Sequence, residues 1–321
     1  MQFTQLPVPY APLGGPVTYA VNGISGSDLE VRITDASRIL RYGAKRFAAV
    51  TEAAFDVAPY LRRAIRFVPA AGKTGLYDTE SRTPNVVVEV IDTGTQEQLR
   101  APARLVLPAA EAAPDTGILT TMPANRILSP GETDEVTLRT DGPLTLTLTA
   151  EYGPHVAVEE HPVPAAGLWI FLLNTADFPN AERITLDAGA CGTVVWTVVP
   201  AVEGAVRLAW RSRAGSVEHY DFPVELAATL EAKKQTAYGP RGYVSCASVE
   251  RSRTLRSALE RSEVLEALAE LIHTPEVWLV TPNGYEPISV VSDRAVVRPY
   301  GTLGSLDLVI RPNTKPAQPW N

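Results

Sequence analysis

The 321-residue sequence predicts a mainly β protein: two tandem β-sandwiches of immunoglobulin-like or jelly-roll-like type, followed by a small α+β domain. Three observations carry that expectation. Leu144-Thr-Leu-Thr-Leu-Thr149 alternates strictly, which places every second side chain on one buried face of a strand. The chain is punctuated by 27 prolines and 22 glycines, so its elements are short and joined by turns. One stretch, Arg253 to Ile272, repeats apolar residues at three- and four-residue intervals.

Residues 1–16 read MQFTQLPVPYAPLGGP, with three prolines before position 13 and no basic residue, and are expected to form an extended arm. The first sandwich is expected over 17–114. Val17–Val21, Leu29–Ile33 and Val86–Ile91 alternate as strands, separated by turn chemistry at Asn22-Gly23, Ser25-Gly26-Ser27 and Asp92-Thr-Gly94. Phe55–Leu61 reads as a strand running into one helical turn, and Arg104–Leu107 closes the segment. Pro108-Ala-Ala-Glu-Ala-Ala-Pro114 then has the composition of a linker.

The second sandwich is expected over 115–230. Glu135–Arg139 and Leu144–Thr149 flank Asp141-Gly142-Pro143 as a hairpin. Further strands follow at 168–173, 184–186, 193–199, 206–210 and 217–222, at a spacing that suits a sandwich. The α+β domain is expected over 231–311, with its helix at about 255–272, ended by His273-Thr-Pro275 because proline cannot continue the ladder. Strands 277–280, 288–291, 295–297 and 306–310 complete it, and 312–321 forms an extended tail ending near Trp320.

Charge and composition exclude several functions. With 29 Lys and Arg against 36 Asp and Glu, the formal charge is −7, unlike a nucleic-acid coat or a polybasic membrane binder. No basic start precedes an apolar run, and the longest apolar stretch, 167–173, is far short of a membrane span, so neither a signal peptide nor a transmembrane segment is expected. The only cysteines, Cys191 and Cys246, give no disulfide framework or cysteine-based zinc site and read as small buried hydrophobes. His155 and His161 stand too far apart on an extended strand to share a metal, and His273 suits a helix C-terminus. Gly72-Lys-Thr lacks the first glycine of a phosphate loop, since Phe67 holds that position, and no Gly-x-Ser-x-Gly elbow occurs. Trp169, Trp196 and Trp210 alternate with aliphatics as core residues. No catalytic residue, metal or cofactor is expected.

What remains are surfaces. Arg38, Arg41, Arg46, Arg62, Arg63 and Arg66 crowd 38–66, Arg251, Arg253, Arg256 and Arg261 crowd the helix region, and guanidinium forks pair well with carboxylates at subunit contacts. The arms carry Phe3, Tyr10 and Trp320, aromatics that proline-rich segments cannot bury against themselves. The six arginines of 38–66 and these three aromatics are the candidate interface, with an arm packing on a neighbouring copy.

The run Arg46–Arg62, together with Ser262–Val297, resembles tail and baseplate structural proteins of bacteriophages, of distal-tail type, in Bacteroidales prophages. The resemblance implies a non-catalytic virion component, assembled in the bacterial cytoplasm, whose partners are further copies of itself and neighbouring virion proteins. Two alternatives stand beside it: a carbohydrate-binding or adhesion protein of sandwich modules, and a polysaccharide-acting enzyme with β accessory domains.

Overall fold

The structure is a computed structural model that describes residues 1–65, 67–79, 82–237, 243–297 and 302–313. It is mainly β, with 52% of residues in strands and 8% in helix.

The first sandwich packs a three-stranded sheet (Gln2–Gln5, Thr18–Asn22, Glu52–Asp56) on a second sheet. That second sheet is ordered Ala11–Pro12, Arg104–Leu107, Asn85–Asp92, Leu29–Asp35, Arg41–Phe47, and Gln98–Arg100 also pairs with Asn85–Asp92. Period-2 alternation puts Tyr19, Val21 and Phe55 from one sheet against Val31, Ile33, Val88 and Val90 from the other. A seven-residue helix, Ala58–Ala64, begins with proline in its first turn, buries Leu61, and lies against the strand Arg41–Phe47.

The expected N-terminal arm is therefore not an arm. Gln2–Gln5 pairs antiparallel with Thr18–Asn22, Phe3 packs edge-on to Tyr19 at 6.1 Å, and Leu13 is buried. The prolines only shorten the strands, because Phe3, Ala11 and Leu13 all reach the same core.

The second sandwich has a four-stranded sheet, in order Gly117–Leu119, Thr133–Thr140, Gly167–Asn174, Gly75–Asp78. It faces a five-stranded sheet, in order Asn125–Leu128, Thr193–Val198, Arg183–Asp187, Leu144–Tyr152, His155–Val163. Trp196, Phe171, Leu148 and Ile184 fill the space between them. Gly75–Asp78 comes from the segment assigned to the first sandwich, so the boundary at 114 is not where the ladders divide.

The third unit is a seven-stranded antiparallel sheet, in order Val217–Phe222, Val206–Arg211, Val277–Thr281, Gly284–Val290, Asp307–Pro312, Tyr243–Arg256, Val224–Ala237. Strands 206–211 and 217–222, expected in the second sandwich, belong here. The helix starts at Ser262 and tightens into a 3-10 turn over Ala269–Ile272, while Leu255 sits on a strand and Leu259 is exposed. The 255–272 periodicity spanned a strand end, a loop and a shorter helix. Leu265, Leu268 and Leu271 cover one sheet face at Leu208, Trp210 and Leu308. Residues 295–297 form no strand.

The Pro108–Pro114 segment is built in rather than loose. Ala109 is buried, Ala110 N–H donates to Arg213 O at 2.8 Å, and Gly14 N–H donates to Ala109 O at 2.9 Å.

Candidate assembly interface

The other face of the seven-stranded sheet rests on the second sandwich through a buried polar junction. Asp134, at the start of strand 133–140, accepts from Arg126 (2.9 Å), Trp196 Nε1 (2.7 Å) and His219 Nδ1 (3.0 Å). Arg126 also reaches Glu218 at 3.1 Å, and Arg82 forks onto Glu135 at 2.5 and 2.8 Å. Arg207 binds Asp221 and Glu132, and Tyr285 contacts His219 at 3.0 Å. Burial works against ionising Asp134, yet the Arg126 cation and the His219 hydrogen bond hold its carboxyl well below the usual carboxylate range. Burial pushes Glu218 up, opposed by Arg126 and by hydrogen bonds from Ser216 and Thr120. Phe67 sits between the Arg82 and Arg211 guanidiniums, 4.9 and 5.0 Å from its ring centre, and packs on Trp278. Arg82, Glu135, Arg126, Asp134 and Glu218 are buried and ion-paired, and through them the junction ties the second sandwich to the third unit.

The predicted interface residues do not converge. Phe3 is in the first core, and Tyr10 lies under Arg139 at 4.6 Å with a left-handed φ of 58°. Arg62 donates to Leu13 O (2.6 Å) and Gly15 O, so it anchors the N-terminal segment of its own chain. Arg46 pairs with Asp28 at 2.8 Å and Arg63 is exposed. Arg38 and Arg41 are exposed on a hairpin tip beside Ile39, which is 90% exposed. Arg66 and Trp320 lie outside the described residues, as does the side chain of Cys246; Cys191 is buried.

Sequence reasoning missed two other surfaces. The first is a β-ribbon. Only Arg253–Arg256 of the strand Tyr243–Arg256 pair with Asp307–Ile310, so both 14-residue strands run on beyond the sheet as a two-stranded projection. About ten residues per strand at ~3.4 Å each carry it roughly 30 Å outward. Cross-strand partners share a face, so Ala228, Leu230, Ala232, Val249, Arg251 and Arg253 line one side, and Thr229, Glu231, Lys233, Ser248, Glu250 and Ser252 the other. Leu230 is 60% exposed, and Arg251 has no ion-pair partner among the described residues. The alternation Ala228-x-Leu230-x-Ala232 was there to be read, but a domain boundary at 230 cut through it.

The second surface is the strand His155–Val163, the last of its sheet. It is nine residues long and pairs without a bulge. Its register against buried Leu146, Leu148 and Ala150 turns Val156, Val158 and Glu160 outward, beside Glu151 and Thr149. Val156 and Val158 are each 59% exposed. On the inner side, Glu159 meets His161 at 3.6 Å. Among the described residues no three metal-ligating groups cluster, and no helix is long and apolar enough to cross a membrane.

A cleft of about 620 Å³ opens between the two sandwiches, lined by Tyr10, Tyr42, Trp169, Asp35, Asn85 and Thr83. Trp169, expected in a core, is half-buried here, whereas Trp196 and Trp210 are fully buried.

No protein-family model matches the chain, and no curated protein does. Among solved structures it is similar to the crystal structure of Dpr2 Ig1-Ig2 in complex with DIP-Theta Ig1-Ig3. The identity is 11% over 59% of this chain and 93% of that one, with a TM-score of 0.17. At that score the likeness carries no functional weight.

Proposed function

We propose that this protein is a non-catalytic structural component of a phage virion, of tail or baseplate type, that assembles with further copies of itself. The observation that supports this reading is the projecting ribbon. An isolated two-stranded ribbon is marginal in water, and a long free edge is a template for pairing, so a ribbon of this length has its use in contact with another surface. The ion-paired junction behind it suits a part that transmits load. Replacing residues 229–252 with Asn-Gly closes the hairpin at its base. Light scattering is expected to show the wild-type chain as an oligomer and this variant as a monomer with an unchanged circular dichroism spectrum. An unchanged mass would overturn the reading.

The inter-sandwich cleft favours a second reading, carbohydrate binding. Aromatic rings beside hydroxyl, amide and carboxylate groups are the chemistry that receives a sugar. On this reading a glycan panel includes sugars that change tryptophan fluorescence, and Trp169→Ala abolishes the response. A panel without a binder at millimolar concentration would remove this alternative.

A further inference from the structure

The ribbon and the strand His155–Val163 are chemically complementary, and they are distant parts of one chain. The ribbon's apolar side presents Ala228, Leu230, Ala232 and Val249 with Arg251 and Arg253. The outward side of the strand presents Val156 and Val158 with Glu160, next to Glu151. Residues 224–256 hold six Lys and Arg against three Asp and Glu, although the whole chain carries −7, so the ribbon is a basic projection from an acidic body. Arg253 is already committed to Glu225 at 2.5 Å, which leaves Arg251 as the unpaired cation on this side among the described residues. Glu160 has no ion-pair partner among the described residues.

A free strand edge is normally guarded against pairing with another chain. The strand Arg41–Phe47 shows the device: Lys45 pairs across from buried Val31, so it points inward, and its Nζ lies 4.7 Å from the Phe47 ring. The strand His155–Val163 guards its backbone edge in the same way, with Glu159 on the inner side opposite buried Leu148 and with Pro162, but its outward face leaves Val156 and Val158 uncovered.

We infer that the ribbon of one copy docks its Leu230–Arg251 side on the outward face of the strand His155–Val163 of a second copy, with Leu230 on Val156 and Val158 and Arg251 paired to Glu160. The inference rests on the assembly reading above and names its contact. Donor and acceptor are different surfaces of the same chain, so copies either exchange ribbons reciprocally about a two-fold axis or, where the contact is heterologous, propagate into a ring or an open helical array. Apolar burial supplies attraction and the ion pair fixes register, so the association weakens with salt without vanishing.

The test is light scattering across concentration on the full chain and on Leu230→Asp, Val158→Asp, Arg251→Glu, Glu160→Arg and the double variant Arg251→Glu/Glu160→Arg. All of these positions are exposed, and circular dichroism confirms that each variant folds. Each single substitution is expected to weaken association at least tenfold, and the double variant to recover it, because the swapped pair meets again between copies. If Val158→Asp and Glu160→Arg keep the wild-type mass while loss of the ribbon gives monomer, this docking site is overturned and the assembly reading stands. A wild-type chain that stays monomeric at millimolar concentration overturns both. Failure of the double variant to recover would remove the Arg251–Glu160 pair from the contact.

Discussion

Asp134 satisfies three donors from three elements: Arg126 and Trp196 of the second sandwich and His219 of the third unit. Asp134→Asn keeps the shape but leaves Arg126 and His219 facing a neutral amide in a buried site. The expected loss is about 3–5 kcal/mol in urea unfolding at pH 7. The pH dependence follows from the direction of the shift. Folding holds the Asp134 carboxyl below its unfolded value, so its contribution is full above about pH 4 and is lost as pH falls toward the folded value. Glu218, raised by burial, has the opposite sign: its cost appears as pH rises through its unfolded value near 4.3. The gap between wild type and Asp134→Asn should therefore narrow between pH 7 and pH 3, and a constant gap would refute the assignment. None of this was legible in the sequence. Glu135–Arg139 reads only as a strand of a hairpin, and nothing local announces that His219 and Arg82 will close on Asp134 and Glu135.

At the scale of elements, alternation was reliable where a strand buries one face, as at 144–152 and 193–198, and misled where partners are remote. Proline made residues 1–16 look like an arm, yet the ladder from Gln2 to Asn22 and the burial of Leu13 decide otherwise. Leu255 fitted a helical period because helix and strand patterns coincide over short spans, and its pairing with Leu308 made it strand. The ribbon was visible only in part, since its alternation shows a face but not that the sheet stops at Arg253. The Pro108–Pro114 segment looked like a linker by composition, and Gly14 tests how tightly it is held. A Cβ at position 14 would run into the Ala110 carbonyl, which is backbone and cannot swing away. Gly14→Ala should thus cost about 1–3 kcal/mol by overpacking, read as a lowered thermal midpoint. A neutral result would mean that the segment is free to move.

For the whole molecule, the question is whether three units unfold as three bodies or as one. Gly75–Asp78 leaves the first segment to complete a sheet of the second sandwich, and Phe67 packs on Trp278 of the third unit. Arg211 of the third unit donates to Pro108 O at 2.7 and 3.1 Å, Arg126 binds Glu218 across the junction, and Glu135, held by Arg82, accepts from Val217 N–H of the third unit at 3.2 Å. Opening any one boundary would strand a buried ion, a loss of several kcal/mol that exceeds what a small domain can spare. Calorimetry should therefore show one transition for the wild-type chain. Its enthalpy should be on the order of 200 kcal/mol, near what 321 residues unfolding together would give, with a van't Hoff enthalpy to match. Arg126→Ala strands Asp134 and Glu218 at once and should split the third unit from the rest, so that a second, lower peak appears. Separate transitions in the wild type, or a single unsplit peak in Arg126→Ala, would show that the junction does not couple the units. In that case the ribbon would sit on a jointed body rather than the rigid one that assembly through it requires.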